Sequence, residues 1–391
     1  MISLKIFKIF VPMAVIFLSI LIYIHMPSNY CQQFSQQAQS FIGGKLDISA
    51  YWDTVYKDGK YFWPQGPFPS LILIPFQLIY GPNFDQFVMQ PILVIILSLL
   101  LYQLARLKNF EPSSAIFLTY VFLFASQIVR IIVEPCYSYF AHVVTMVLLT
   151  ALLLEFESKK RPLFLGLLLA AIIATRISAS LIFIPIIYYF YSKNNNTSRF
   201  MNITLFINPI LLSIFLLLIF NQVRFQNPFD NGYATNNVGD YLAGLRNIGV
   251  FSIQHIPSNF YYYFLISVQP VIGYSTHLVY PFLTYSPYGL SFFIVAPFFL
   301  YAFKSLKSQK IIIRLYWLVI LLTLLILLSY YSNGWVQFGP RFLSDVMPIL
   351  YLLLLVSLKA PRLTQNQIIF IILSSLLNIY LLIGKFFTFK N

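Results

Sequence analysis

Residues 162–191 read PLFLGLLLAAIIATRISASLIFIPIIYYFY, thirty residues that are apolar almost throughout, with Arg176 in the middle. A membrane-crossing helix needs about 20 mostly apolar residues. This run is therefore long for one crossing and short for two. A lone Arg in an apolar stretch is costly unless it pairs or faces water. We read the run as two short segments that meet near Arg176. Around it lie further candidate spans at 7–26, 86–107, 112–133, 137–154, 202–223, 286–303, 311–331, 342–358 and 366–387. The first follows Lys5 and Lys8 and lacks a small-residue cleavage site, so it reads as a retained anchor. Phe68 to Tyr80 is too short to cross and reads as re-entrant or interfacial.

Charge supports the two-segment reading. With the N-terminus inside, the inner loops hold 15 of the 25 basic residues and three acids, Glu111, Glu155 and Glu157. The inner face is then +12 and the outer face +2, as the positive-inside rule expects. A single crossing at 162–191 would move the cluster Lys304, Lys307, Lys310 and Arg314 outside.

Composition agrees. Of 391 residues, 59% are hydrophobic and 9% charged, against about 25% charged in a soluble domain. That excludes a soluble protein and a disordered one. Long unbroken apolar runs argue against a β-barrel. The expectation is one all-α polytopic membrane domain over 1–391, with 10 or 11 transmembrane helices. Two long outer loops, at about 27–67 and 223–287, would contain short interfacial helices. The net charge of +14 belongs to the inner loops rather than to a nucleic-acid surface. Cys31 and Cys136 are too few for a disulfide framework, and the four histidines have no metal-ligand spacing.

Long loops are where function concentrates. The first outer loop carries Asp47, Asp53 and Asp58 among Tyr51, Trp52, Tyr56, Tyr61, Phe62 and Trp63. Asp58-Gly59 is a turn signal and is set aside. Two readings of the aromatics stand side by side: an interfacial belt, or a carbohydrate or lipid-phosphate site in which a carboxylate takes a proton. Arg130 and Glu134 are spaced i,i+4, as are Arg341 and Asp345. Each is an ordinary ion pair or part of a site, and Tyr137 and His142 follow the first pair. Arg176 either meets a structural carboxylate or clamps phosphate, for which a guanidinium fork is suited. Arg224, Asp230 and Tyr233 stand out in the second loop.

These patches resemble the GT-C superfamily of membrane glycosyltransferases, to which protein mannosyltransferases and lipid A aminoarabinose transferases belong. The resemblance is carried by Gly59-Lys-Tyr61, Gly66-Pro67-Phe-Pro69, Pro75, Gly81, Thr175-Arg176, the NQVRFQNPFDNGY segment from Asn221, and Gly339-Pro-Arg341-Phe-Leu-Ser-Asp345 with Pro348. It is closest to a bacterial branch of mostly predicted enzymes. It implies an inverting transferase that takes a sugar from a polyprenyl-phosphate carrier on the outer face of the cytoplasmic membrane. Asp53 or Asp47 would be the base and Glu134 a second acidic position. Arg176, Arg341 and Arg224 would hold the donor phosphate, and Tyr51, Trp52, Tyr61, Trp63 and Tyr137 the sugar or acceptor. Some relatives use a divalent metal, but no motif here fixes one. Relatives often carry an acid just after the first span, where this chain has Ser28, Asn29 and Tyr30. A flippase or a polymerase or ligase of lipid-linked glycans is the rival reading; the rim position of the acids favours surface chemistry over transport.

Overall fold

A computed structural model describes residues 31–193, 196–273, 276–358 and 360–388. The candidate span at 7–26 lies outside the described residues. Five helices among those described are long and apolar enough to cross a membrane: Gln86–Leu107, Ser138–Glu157, Ser198–Phe225, Ile311–Ser329 and Gln365–Lys385. Shorter apolar helices accompany them, and the protein is an all-α polytopic membrane protein. The described residues form two compact units, one within 31–100 and 132–250, the other within 101–131 and 251–388.

In the first unit, the run at 162–191 breaks where the charge predicts. A helix Pro162–Ile173 ends, Arg176 adopts extended backbone (φ −149°, ψ 104°), and a 3-10 turn Ile177–Ile182 leads into the helix Phe183–Lys193. Pro162 sits at the helix start, where its missing N–H costs nothing. Thr175 bonds back from its hydroxyl to the carbonyl of Ala171 (2.7 Å), a contact that bends helices. The chain then turns back on itself. The Lys160 ammonium lies 5.5 Å from the Tyr189 ring centre, and Phe156 packs edge-on against the same ring. Both feet of the hairpin thus share one end, with Arg176 at the tip. The first arm, at 1.5 Å per residue, is about 18 Å long, well under the ~30 Å hydrocarbon core.

The helix Asn196–Phe225 runs parallel to that first arm. A Cβ added at Gly166 would stand 2.3 Å from the Phe206 carbonyl oxygen, and further along the Ser213 hydroxyl donates to Ala170 (2.9 Å). Only 6% of its apolar window is buried, so this helix presents its surface to lipid. At its far end Phe225 joins Val55 and Phe62 in a small core. Those two residues come from the hairpin Val55–Lys57/Lys60–Phe62, in which Asp58 and Gly59, both at positive φ, make the two-residue turn. The loop before the first long helix also contains the helices Gln33–Ile42, Phe68–Leu71 and Ile74–Tyr80.

In the second unit, two expected spans are interrupted. The run at 112–133 stops at Leu123 and resumes at Ile128–Val133. Ser126 bonds back to Phe122 and accepts from the Ile128 amide, which ends the first helix. The expected helix at 286–303 is instead a short helix Phe292–Val295 followed by a 3-10 helix Pro297–Lys307. Pro297 lacks the amide that would continue the helix, and Ala296 leaves helical dihedrals (φ −132°, ψ 47°). Carbonyls freed in lipid need partners. Buried Asn378, on the helix Gln365–Thr388, supplies them by donating to both Phe124 (3.0 Å) and Val295 (2.8 Å). The expected span at 342–358 begins as a 3-10 turn, Arg341–Asp345, and is α-helical only from Met347 to Ser357.

Candidate active site

Tyr51 to Thr54 form a tight turn. The buried Thr54 hydroxyl accepts from the Tyr51 amide (3.1 Å) and donates to its carbonyl (2.5 Å). Asp53 sits there at φ +63°, a left-handed conformation that Asp tolerates better than most side chains. Its amide donates to Asn237 (2.8 Å), and the Asn237 amide donates to Thr54 (2.7 Å). The two long loops are therefore stitched together at the candidate base.

Tyr137 faces this turn. Its hydroxyl lies 3.1 Å from that of Tyr51, and the two rings stack with centres 5.8 Å apart. Tyr137 stands just before the span Ser138–Glu157, at φ +49°. A bulky residue in that region marks stored strain. Its phenol is held above the ordinary range by burial first, then by the Tyr51 hydroxyl, then by the negative charges of Asp53 and Glu134. It remains a neutral hydrogen-bonding group at neutral pH. Glu134 itself is 2% exposed. Tyr51 and Tyr137 are in direct contact, and the charges of Asp53 and Glu134 both act on Tyr137.

Asp47 is placed differently. Its carbonyl accepts from the Ser40 hydroxyl (2.6 Å), closing the end of the helix Gln33–Ile42. Trp52 is exposed, and Tyr61 packs on Tyr56. Trp63 is fully buried edge-on against Phe34 and serves as core rather than as an open platform. Arg224 is buried beneath it and donates to the Trp63 carbonyl (2.6 Å) and to Asn221 (2.8 Å), between the rings of Phe220 and Phe225. One N–H of its fork braces the first loop, and another ties back to its own helix. Arg341, in the second unit, donates to the Trp335 carbonyl (3.1 Å).

Arg176 is half-buried at the hairpin tip. The loop strip Gln65-Gly66-Pro67 lies against that tip. The Phe68 amide donates to Ala174 (3.1 Å), and a Cβ on Gly66 would stand 2.2 Å from the Ala174 oxygen and 2.8 Å from that of Thr175. Backbone cannot yield as a flexible side chain can. Gly66→Ala should therefore cost about 1–3 kcal/mol of overpacking and displace the Arg176 turn. A lowered thermal midpoint, with faster amide exchange confined at first to 174–179, is the expected reading. Unchanged exchange there would mean the strip does not hold the tip.

No three His, Cys, Asp or Glu side chains among the described residues come together as a metal-ligand set.

No protein-family model matches the chain, and no curated protein sequence does. Solved structures share its architecture. ArnT from Cupriavidus metallidurans, bound to undecaprenyl phosphate, superposes with a TM-score of 0.54 at 11% identity, over 94% of this chain and 62% of that one. The apo oligosaccharyltransferase of Archaeoglobus fulgidus gives 0.50 at 13% identity, over 96% of this chain and 55% of that one. The fold is GT-C-like. The chain spans less than two thirds of the length of either neighbour.

Within this GT-C-like fold, the cluster is held by residues that no motif marked. Cys31 and Cys136 form a disulfide across 105 positions, immediately before Tyr137. The Tyr137 amide donates to the Cys31 carbonyl (3.1 Å). Gln86, fully buried, donates to the carbonyls of Cys31 (3.2 Å) and Pro135. One turn on, Gln90 donates to Ile132 (3.2 Å). Two glutamines four apart on an otherwise apolar helix are the one signal in the sequence that could have pointed to this brace. They satisfy carbonyls at and just beyond the end of the helix Ile128–Val133, which apolar surroundings would otherwise penalise.

Proposed function

We propose that the protein is a membrane glycosyltransferase that moves a sugar from a polyprenyl-phosphate carrier to an acceptor hydroxyl on the non-cytoplasmic face. What supports this is the hydrogen-bonded Tyr51–Tyr137 pair, on which the charges of Asp53 and Glu134 both act, in a GT-C-like fold. Asp53 takes the proton of the acceptor hydroxyl as its oxygen attacks the anomeric carbon. The bond from that carbon to the phosphate oxygen breaks, and the polyprenyl phosphate leaves with the electron pair. Tyr51 and Tyr137, as neutral phenols, orient the acceptor and donor sugar by hydrogen bonds. Two features support the sidedness. The disulfide beside Tyr137 suits an oxidising compartment. The feet of the 162–191 hairpin carry Lys159, Lys160, Arg161 and Lys193, as cytoplasmic ends do.

Arg176 meets the departing phosphate in this reading. Its hairpin arm is too short to cross, which leaves room for a lipid carrier to approach from the bilayer. Bound undecaprenyl phosphate in ArnT supports a carrier of this class. Arg176→Lys keeps the charge and loses the bidentate fork. Binding of undecaprenyl phosphate to the purified protein should weaken about tenfold or more, since a hydrogen bond to a charged group is worth ~1.5–3 kcal/mol. Equal affinity of both proteins would make Arg176 a structural residue. The activity itself is tested by following lipid-linked sugars in membranes with and without the protein. A donor that is consumed only when the protein is present supports transfer, and identical profiles would defeat it.

A further inference from the structure

The loop 330–341 of the second unit presents a tryptophan outward by means that cost free energy. Trp335 is 52% exposed and Val336 is 41% exposed. Val336 sits at φ +50°, which a β-branched residue adopts only under constraint. The constraint is Gln337, itself 2% exposed. Its side-chain amide donates to the carbonyls of Tyr288 (2.9 Å) and Asn333 (2.9 Å), and its oxygen accepts from the Arg341 amide (3.3 Å). Its own backbone amide donates to Pro287 (3.1 Å). Gly334, at φ +100°, leaves room for this side chain, because a Cβ there would stand 2.3 Å from the Gln337 oxygen. One buried glutamine therefore fixes Trp335 and Tyr288 on a common frame. The Trp335 and Tyr288 rings meet edge to face at 5.0 Å, and Tyr262 packs on Tyr288 at 4.5 Å. Three rings form one continuous partly exposed ledge.

We propose that Tyr262, Tyr288 and Trp335 form a glycan-binding ledge that stacks on a pyranose ring of the acceptor or of a growing chain. An aromatic face is electron-rich. The C–H bonds on one face of a pyranose present the complementary partial charge, and its hydroxyls project from the edges. A membrane-interface belt is the other use of such rings. A belt tolerates any position at the right depth and needs no strained backbone or buried polar brace, whereas strain held in place by its surroundings marks ligand sites. The glycan source rests on the glycosyltransferase reading above, but the binding is measured without transfer.

The full chain in lipid nanodiscs is examined by saturation-transfer NMR with maltotriose, chitotriose and trigalacturonate at millimolar concentration. At least one probe should receive saturation, concentrated on the C–H protons of one sugar face. Trp335→Ala and Tyr288→Ala should each weaken that probe's binding about tenfold, the loss an aromatic anchor commonly carries. Trp335→Phe keeps a ring and should retain most of it, which separates stacking from misfolding. No lipid-linked donor is present, so the signal reports binding without transfer, and failure of the ledge and failure of the enzymatic reading are told apart. No transfer to any probe, or equal signals from the alanine variants, would overturn the ledge. So would strong quenching of the Trp335 emission, taken as wild type minus Trp335→Phe, by brominated acyl chains, which would assign it to the bilayer.

Discussion

Asp53→Asn should lower sugar transfer by roughly 100- to 10,000-fold, the usual worth of general-base assistance, while Asp47→Asn leaves the rate nearly unchanged. That loss corresponds to about 3–5 kcal/mol of barrier. The variant is a clean one. Asn has nearly the shape of Asp and, like it, tolerates the left-handed backbone found at position 53 (φ +63°). The bonds that stitch the turn to Asn237 run through backbone amides and carbonyls, so they survive the change. What disappears is a carboxylate whose charge acts on Tyr137. Consumption of the lipid-linked donor in membranes is the measurement, with binding of undecaprenyl phosphate as the control for folding. Glu134→Gln distinguishes the second carboxylate. It is 2% exposed, so a loss there comparable with that at Asp53 would make the pair a unit rather than a base with a neighbour. If Asp53→Asn transfers sugar at the wild-type rate, the base lies elsewhere and the convergence on Tyr137 serves structure alone.

The sequence made some of this legible and hid the rest for identifiable reasons. The break at Arg176 could be read because run length and a single charge are both local properties. The turn at Asp58-Gly59 was legible for the same reason, and both residues are found at positive φ. The interruption at 296 was not legible. Pro297 hints at it, but whether the chain resumes as α or 3-10 depends on what satisfies the freed carbonyl, and that partner is Asn378, far along the chain. Among the aromatics, composition could not separate ring from ring. Trp52 and Trp63 lie in the same loop, yet one is exposed and the other fully buried. The resemblance places Arg224 among the phosphate contacts, and no local pattern shows what it touches. One of its N–H groups meets the Trp63 carbonyl, a contact across 161 positions. Asp53 and Asp47 are alike in sequence. They differ in that the charge of Asp53 acts on Tyr137, a residue far along the chain.

Removing the disulfide should act on both stability and the site. Chain entropy alone gives ~4.7 kcal/mol for a loop of about 100 residues, and Cys31–Cys136 closes one of 105. Helices inserted between the two cysteines already limit the unfolded chain, so about 2–4 kcal/mol is the expected loss. The double variant Cys31→Ser/Cys136→Ser, and the wild type under reductant, should both melt several degrees earlier in detergent. The second effect is local. Tyr137 keeps its strained backbone because its amide is bonded to the Cys31 carbonyl, while Gln86 holds that carbonyl and that of Pro135. With the covalent link gone, Gln86 is what remains of the clasp. Amide exchange at Tyr137 should rise in the double variant and rise further when Gln86→Leu is added. Gln86→Leu strands buried carbonyls, which costs about 1–3 kcal/mol, and replaces a polar side chain by an apolar one of similar size. Transfer should fall in the same order as protection of the Tyr137 amide, because in the proposed reaction that residue orients the reacting groups. If melting shifts but exchange at Tyr137 and transfer do not, the disulfide staples the fold without holding the site.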